Sequence, residues 1–354
     1  EFMKCKITLA GAGLVAAMMF NTNTAKAQDV HFTQFDATPL IINPAFTGAF
    51  NGQLRASAIY RDQWRSAMGN KAAFRTYAAG VDMPIVTDIS VDDYLALGVQ
   101  LYNDRAGDAN LNNFSAFLSL AYHKFLGTNG RSVLSAGLQG GYSNKNLDIA
   151  KLYFGDEYYS GQWVPGTSSQ HGILGKGFQS FLVNGGLSYS QAVGARSGFV
   201  LGVGVNNVNF PVESITTTDN TADINLKIRY TGQIGAIIGV NQSFSIRPAV
   251  LIQTQATAME VVAGSEFRLK YGNYSHTPDA SAVFAGLWYR HGDAVMATAG
   301  VEFKRFRIGF AYDMNISTLK DYTKNNGGFE VMVRYILPSS LSYQNTREYP
   351  CGRF

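Results

Sequence analysis

The chain has 354 residues and a formal net charge of +4, and 15% of its residues are charged whereas 13% are aromatic. Soluble domains carry roughly 25% charged residues, so this composition argues against a soluble multidomain protein. The basic residues are scattered and form no cluster that could follow a phosphate backbone, so nucleic acid is not an expected partner. Beyond residue 27, no apolar run reaches the about 20 residues that a membrane-spanning helix needs.

The N-terminus has the pattern of an export signal. Lys4 and Lys6 precede an apolar stretch at 7–20, and an Ala-Lys-Ala sequence ends at Ala27. This succession of basic, apolar and small residues predicts a signal peptide over residues 1–27 that is removed on export. The two residues ahead of the first methionine are interpreted as a remnant outside the natural reading frame.

From residue 53 to residue 338 the chain alternates apolar and polar residues with a period of two. Near residue 265, for example, Val261 and Phe267 occupy one parity while Glu266 and Arg268 occupy the other. Only a β-strand places these two sets on opposite faces. The strands predicted on this basis cover 53–65, 75–85, 94–105, 114–126, 132–146, 179–193, 198–208, 225–240, 244–255, 259–271, 282–291, 295–304, 306–316 and 329–337.

The longest and the tightest breaks between these predicted strands fall on opposite sides of the sheet. The longest breaks, at 147–178, 209–224 and 317–328, all follow odd-numbered strands, whereas tight turns follow even-numbered strands. Outer-membrane barrels have long external loops and short periplasmic turns. We therefore predict an all-β fold, a transmembrane outer-membrane β-barrel of about 14 antiparallel strands, with both of its ends in the periplasm.

A barrel of this width leaves a cavity unless something fills it. We place an N-terminal periplasmic or plug segment at 28–52, the barrel at 53–338 and a C-terminal periplasmic tail at 339–354. Either the N-terminal segment or the long loop at 147–178 is expected to plug the lumen. Charged side chains of both signs at inward positions predict ion pairs in the lumen, and the candidates are Arg55, Arg61, Lys227, Arg229, Glu266, Glu302 and Glu330.

Motifs for catalysis or metal binding are absent from the sequence pattern. The five histidines have no spacing suited to one metal ion. Once the leader with Cys5 is removed, only Cys351 remains, which excludes a disulfide framework within the chain. A Ser–His esterase around His123 is the weakest of the alternatives because the sequence supplies no geometry for it. We expect no enzyme activity and no cofactor.

The N-terminal segment carries a motif that barrel physics does not explain. It reads QDVHFTQFDATPLIINPAFTGAF from Gln28 to Phe50, and it is followed by YRDQW at 60–64 and by CGRF at the end of the chain. These sequences resemble the PorP/SprF family of Bacteroidota outer-membrane proteins. Under this resemblance, or as parts of a plug, the candidate partner-contact residues are Phe32, Gln34, Asn43, Pro44, Phe46 and Gly48.

The resemblance implies a noncatalytic role in protein secretion through the type IX secretion system and, in gliding species, in gliding motility. Its implied partners are outer-membrane lipid and either the C-terminal domain of cargo adhesins displayed at the cell surface, the periplasmic secretion-ring proteins, or both. The alternative is an outer-membrane solute channel resembling the fatty-acid transporters, which also have an N-terminal plug. The inward charges argue against an apolar conduit.

Overall fold

The computed structural model describes residues 31–87, 89–90, 92–127, 130–172, 175, 177–214, 225–271, 281–318, 320–338, 349–351 and 354, without the side chains of residues 70 and 71. The predicted signal peptide at 1–27 lies outside this part of the chain.

Fourteen antiparallel strands form a closed barrel, which confirms the predicted fold class and strand number. The first and last of these strands pair with each other and close the wall. Two further short strands form a hairpin inside the longest loop. In chain order the strands are β1 (Leu54–Gln63), β2 (Phe74–Val86), β3 (Tyr94–Ala106), β4 (Leu111–Leu126), β5 (Ser132–Asn146), the loop strands β6 (Tyr158–Tyr159) and β7 (Gln162–Trp163), β8 (Gly177–Val193), β9 (Ser197–Asn206), β10 (Arg229–Gly239), β11 (Phe244–Gln255), β12 (Ala258–Tyr271), β13 (Ser281–Arg290), β14 (Ala294–Phe303), β15 (Phe306–Asn315) and β16 (Asn326–Leu337).

The described residues contain three short α-helices outside the wall strands: α1 (Pro39–Ile42), α2 (Arg65–Ala72) and α3 (Lys320–Thr323). The sequence pattern did not predict α2, because the first strand was expected to continue to residue 65. Trp64 instead adopts a left-handed conformation with φ of 58° and ends the strand. In the described residues, no helix has both the length and the apolar character needed to cross a membrane.

The strands have one apolar face and one enclosed face. In β13, Val283 and Leu287 are 41% and 64% exposed, whereas the residues that directly follow them, Phe284 and Trp288, are 4% and 5% exposed. Because successive side chains of a strand point to opposite faces, the exposed set forms the outer surface of the wall and the buried set faces the lumen. The outer surface is apolar, as contact with lipid requires.

The loops differ in length between the two ends of the barrel. The connections that follow β5, β9 and β15 are long, and we call this the loop end. The strand β1 starts and β16 finishes at the opposite end, the turn end, where β14 and β15 are joined by two residues. Within the longest loop, Tyr153 and Tyr159 are 66% and 76% exposed. This loop therefore does not fill the lumen, and the N-terminal segment does.

Candidate functional site: the plugged lumen

The plug, defined as residues 31–50, is a chain of short turns inside the barrel. It contains two single-turn 3-10 helices, Phe35–Ala37 and Pro44–Phe46, with α1 between them. Proline is favourable in a first helical turn, where its missing N–H is not needed, and Pro39 and Pro44 both stand there. Phe32 belongs to a buried apolar cluster with wall residues. The plug thus has apolar as well as polar contacts with the wall.

Asn43 joins the plug to three different strands. Its Oδ1 accepts a hydrogen bond of 2.9 Å from the backbone N–H of Ala45, which caps the second 3-10 helix. Its Nδ2 lies 3.2 Å from the carbonyl oxygen of Leu187, 3.1 Å from that of Val203 and 3.0 Å from Gln233 Oε1. Since the side chain is fully buried, an apolar residue here would leave several polar groups without partners.

Two glycines allow close approach between plug and wall. Gly48 has φ of 74°, and a Cβ at this position would overlap the side chain of Ala96. Its N–H donates a hydrogen bond of 2.6 Å to Asp82 Oδ2. On the wall, Gly137 lies against the backbone of Pro44, where any side chain would collide with it. The Asn-Pro-Ala-Phe-Thr-Gly sequence therefore fits the wall through its backbone as well as its side chains.

Arg55 connects the wall to the plug. Its guanidinium forms a two-point ion pair with Asp82, with Nε–Oδ1 of 2.9 Å and Nη2–Oδ2 of 2.8 Å. The two residues face each other directly in the β1–β2 register. Nη2 also donates to the carbonyl oxygen of Phe46 at 2.9 Å, and Nη1 donates to that of Phe354 at 3.0 Å. One arginine thus links a strand pair, the plug and the C-terminal residue.

A second arginine centre joins β1 to the last two strands. Arg61 Nη2 lies 2.7 Å from Asp313 Oδ2, and Nη1 pairs with Glu330, its direct neighbour in the β1–β16 register. Glu330 accepts hydrogen bonds from the backbone N–H groups of Thr33, at 2.7 Å, and Gln34, at 3.0 Å. The Thr33 hydroxyl donates to Asp313 at 2.7 Å. These groups attach the plug to the wall at the closing seam, where β1 pairs with β16.

The described end of the C-terminal tail lies against the plug. The ring of Phe354 stacks on Phe46 with 5.0 Å between centroids and lies 5.8 Å from Phe35. Phe35 in turn contacts the edge of Trp288 at 5.3 Å. Cys351 is buried in the same cluster. The tail predicted at 339–354 therefore ends within the barrel, where it packs on the N-terminal segment.

The other candidate charges separate into two groups. Glu266 and Glu302 lie at the turn end, where both pair with Arg307, the latter at 2.6 Å from Nη1. Lys227 and Arg229 lie at the loop end: β10 begins at Arg229, so Lys227 precedes the strand that was predicted to include it and is exposed. Arg229 is buried and lines a cavity of 240 Å³.

Sequence reasoning missed three residues of this site. Asp82 has the inward parity of its predicted strand, so the alternation could have identified it as a partner of Arg55. Trp288 also has inward parity, but nothing in the sequence shows that Phe35 packs on it. For Phe354, the only signal was the resemblance of the last four residues to the family tail, because a residue outside the strands has no periodicity to place it.

A Ser–His contact occurs in the wall. His123 Nδ1 lies 2.7 Å from Ser135 Oγ, and Nε2 lies 2.6 Å from the carbonyl oxygen of Thr47. Both side chains are fully buried, and the imidazole stacks on Tyr94 at 4.4 Å. The contact between His123 and Thr47 thus joins the wall to the plug. In the described part of the chain, no group of three or more His, Cys, Asp or Glu side chains could hold a metal ion.

Several solved structures have a similar fold. The toluene transporter TbuX of Ralstonia pickettii is 11% identical with a TM-score of 0.48, over 88% of this chain and 95% of that chain. The toluene transporter TodX of Pseudomonas putida is 10% identical with a TM-score of 0.48, over 87% of this chain and 93% of that chain. No curated protein matches the sequence. The model of the type IX secretion system membrane proteins PorP/SprF matches residues 24–335, and the chain belongs to this family.

Proposed function

We propose that this protein is a noncatalytic outer-membrane component of type IX secretion. In this role it docks cargo adhesins, or helps to display them, at the cell surface, or it contacts the periplasmic secretion ring from its turn end, or it does both. The observation that carries the proposal is the filled lumen. Asn43, Arg55 and Arg61 hold the plug from several sides of the wall, which suits a docking platform better than a conduit.

An aromatic hairpin at the loop end offers a surface for such contacts. Tyr158, Tyr159 and Trp163 are 54%, 76% and 50% exposed, although they are large aromatic side chains. The loop is held by Glu157, whose carboxylate accepts hydrogen bonds from the Phe154 and Gly166 N–H groups and contacts His171 at 2.6 Å. These hydrogen bonds, that from Phe154 foremost, lower the pKa of Glu157 to about 2. The carboxylate therefore stays ionised, and holds the loop, throughout the neutral range.

Deletion of the gene tests the role in secretion. We expect one or a few type IX cargo proteins to disappear from the cell surface while general export continues, because a docking barrel serves particular cargo. Surface proteomics of the deletion strain and of the complemented strain measures this. Loss of all type IX cargo would indicate that the link to the secretion ring is its essential role. Normal cargo display with impaired uptake of a small solute would contradict the proposal and support a channel.

The proposed orientation makes a separate prediction. In a Cys351→Ser background, Ser160→Cys at the exposed loop end is expected to react with a membrane-impermeant maleimide on intact cells. Ala195→Cys, in the exposed turn after β8, is expected to react only after the outer membrane is opened. Short turns of outer-membrane barrels face the periplasm, which is the reason for this difference. Labelling of Ala195→Cys alone on intact cells would reverse the assignment.

A further inference from the structure

A cavity of 580 Å³ lies inside the barrel at the turn end. Its floor is formed by the plug residue Phe50 and by the tail residues Tyr349 and Pro350, and its sides belong to the wall and to the turns. The side chains of Arg131, Arg196 and Arg305 are exposed, so this rim faces solvent. The volume falls within the range of about 300–1,000 Å³ that is typical of ligand sites.

The cavity has an excess of positive charge. Glu302 is the one acidic side chain among the described lining residues. Two further carboxylates, Asp36 and Glu266, contact the lining arginines from behind. Among the residues that the structure describes, seven guanidinium groups therefore lie near three carboxylates, and the arginines are Arg131, Arg196, Arg247, Arg268, Arg305, Arg307 and Arg334.

The inner arginines are held in place although they repel one another. Arg307 and Arg334 are direct neighbours in the β15–β16 register, where like charges are destabilising. Asp36 of the plug lies 3.8 Å from each of them, and Arg307 also pairs with Glu266 and Glu302. Arg268 is fixed by Glu302, with Nε–Oε2 of 2.7 Å. An anion entering the cavity would therefore meet pre-oriented guanidinium groups.

We propose that this cavity is a binding site for an acidic peptide segment that carries apolar side chains next to its carboxylates. The planar guanidinium group matches a carboxylate with two parallel hydrogen bonds. Phe50, Ile237 and Ile336 line the same cavity as the arginines and supply apolar contacts for the neighbouring side chains. A free inorganic anion would leave both the volume and these apolar residues unused.

The position of the cavity favours a soluble segment over a lipid. Phe303 and Phe306 of its lining have the outward parity, but its arginines face inward or lie on turns, so a lipid headgroup would have to leave the bilayer and pass over the rim to reach them. The site opens at the turn end, which the proposed function places in the periplasm. The inference rests on the proposed function only for the compartment that supplies the peptide. The binding chemistry is independent of the orientation.

Binding to the purified full chain in nonionic detergent tests the inference. The probe is a fluorescein-labelled hexapeptide of alternating glutamate and phenylalanine, and the control peptide has lysine in place of glutamate. We expect the acidic peptide alone to bind, more weakly as salt is added. The variant Arg131→Ala/Arg196→Ala/Arg305→Ala removes the exposed rim charges and should raise Kd by about tenfold, since each exposed pair contributes little by itself.

A matched variant at the loop end, Lys151→Ala/Lys320→Ala/Lys324→Ala, removes three exposed charges far from the cavity and should leave Kd unchanged. Heat-modified gel migration checks that both variants fold. Equal binding of the lysine peptide, or an unchanged Kd in the rim variant, would overturn the inference. Displacement by inorganic phosphate at the concentration of the peptide would assign a free-anion site instead, and binding only to phosphatidylglycerol nanodiscs would assign a lipid. Because cargo display is not measured, a failure here is distinct from a failure of the proposed function.

Discussion

Removal of residues 28–48 is expected to turn a poorly conducting barrel into an open pore. With the plug in place, Asn43 and Thr33 contact different sides of the wall and occupy the lumen between them. The ion pairs Arg55–Asp82 and Arg61–Glu330 join neighbouring strands, so they remain in the wall after the deletion. Planar-bilayer recordings should show little steady conductance in the intact mature chain and a large conductance in the deletion variant.

The long loop provides the control for this experiment. Its residues 153–166 contain the exposed aromatic hairpin and do not enter the lumen. Their deletion is therefore expected to leave the conductance at the low level of the intact chain. A large steady conductance before any deletion would contradict the plugged state and favour the solute-channel alternative. Gel migration of the heated and unheated protein shows whether the deletion variant still forms a barrel.

The strands of the wall could be predicted because the pattern that marks each strand lies within the sequence of that strand. Each strand repeats apolar and polar residues with a period of two, and the closed structure contains all 14 predicted strands. The ends of the strands were harder to predict than the strands themselves. The first strand was extended to residue 65, but Trp64 turns the chain into α2. No periodicity marks a left-handed residue at the end of a strand.

The partners of the charged residues could not be predicted in the same way. Periodicity indicates that Arg61 and Glu330 both face inward, but their contact requires the first and last strands to pair, across 269 positions of the chain. Register is a property of the closed sheet, not of either strand alone. The same holds for the plug, where Pro39 and Pro44 exclude a regular element without indicating which strands the segment will contact.

The arginine at the closing seam is expected to have the largest effect on stability. In Arg61→Met, the carboxylate of Glu330 stays fully buried and loses its charge partner, while Asp313 retains Arg290 at 3.5 Å. Breaking a buried pair by removing one partner typically costs about 3–5 kcal/mol, because a charge is left uncompensated. Urea unfolding in detergent micelles, followed by tryptophan fluorescence, should show a loss of this size in the free energy of unfolding.

A second substitution, Glu330→Gln, separates the two effects of Arg61→Met, the loss of charge balance and the loss of packing. Adding Glu330→Gln to Arg61→Met removes the uncompensated charge but keeps an acceptor for the Thr33 N–H, so most of the lost stability should return. Arg105→Met is the matched control, because its exposed guanidinium bonds only Asn110 among the partners described, and it should cost less than about 1 kcal/mol. If Glu330→Gln restores nothing, the contribution of Arg61 lies in its packing. In that case side-chain packing would stabilise the seam between β1 and β16, and its buried charges would have no part in closing the barrel.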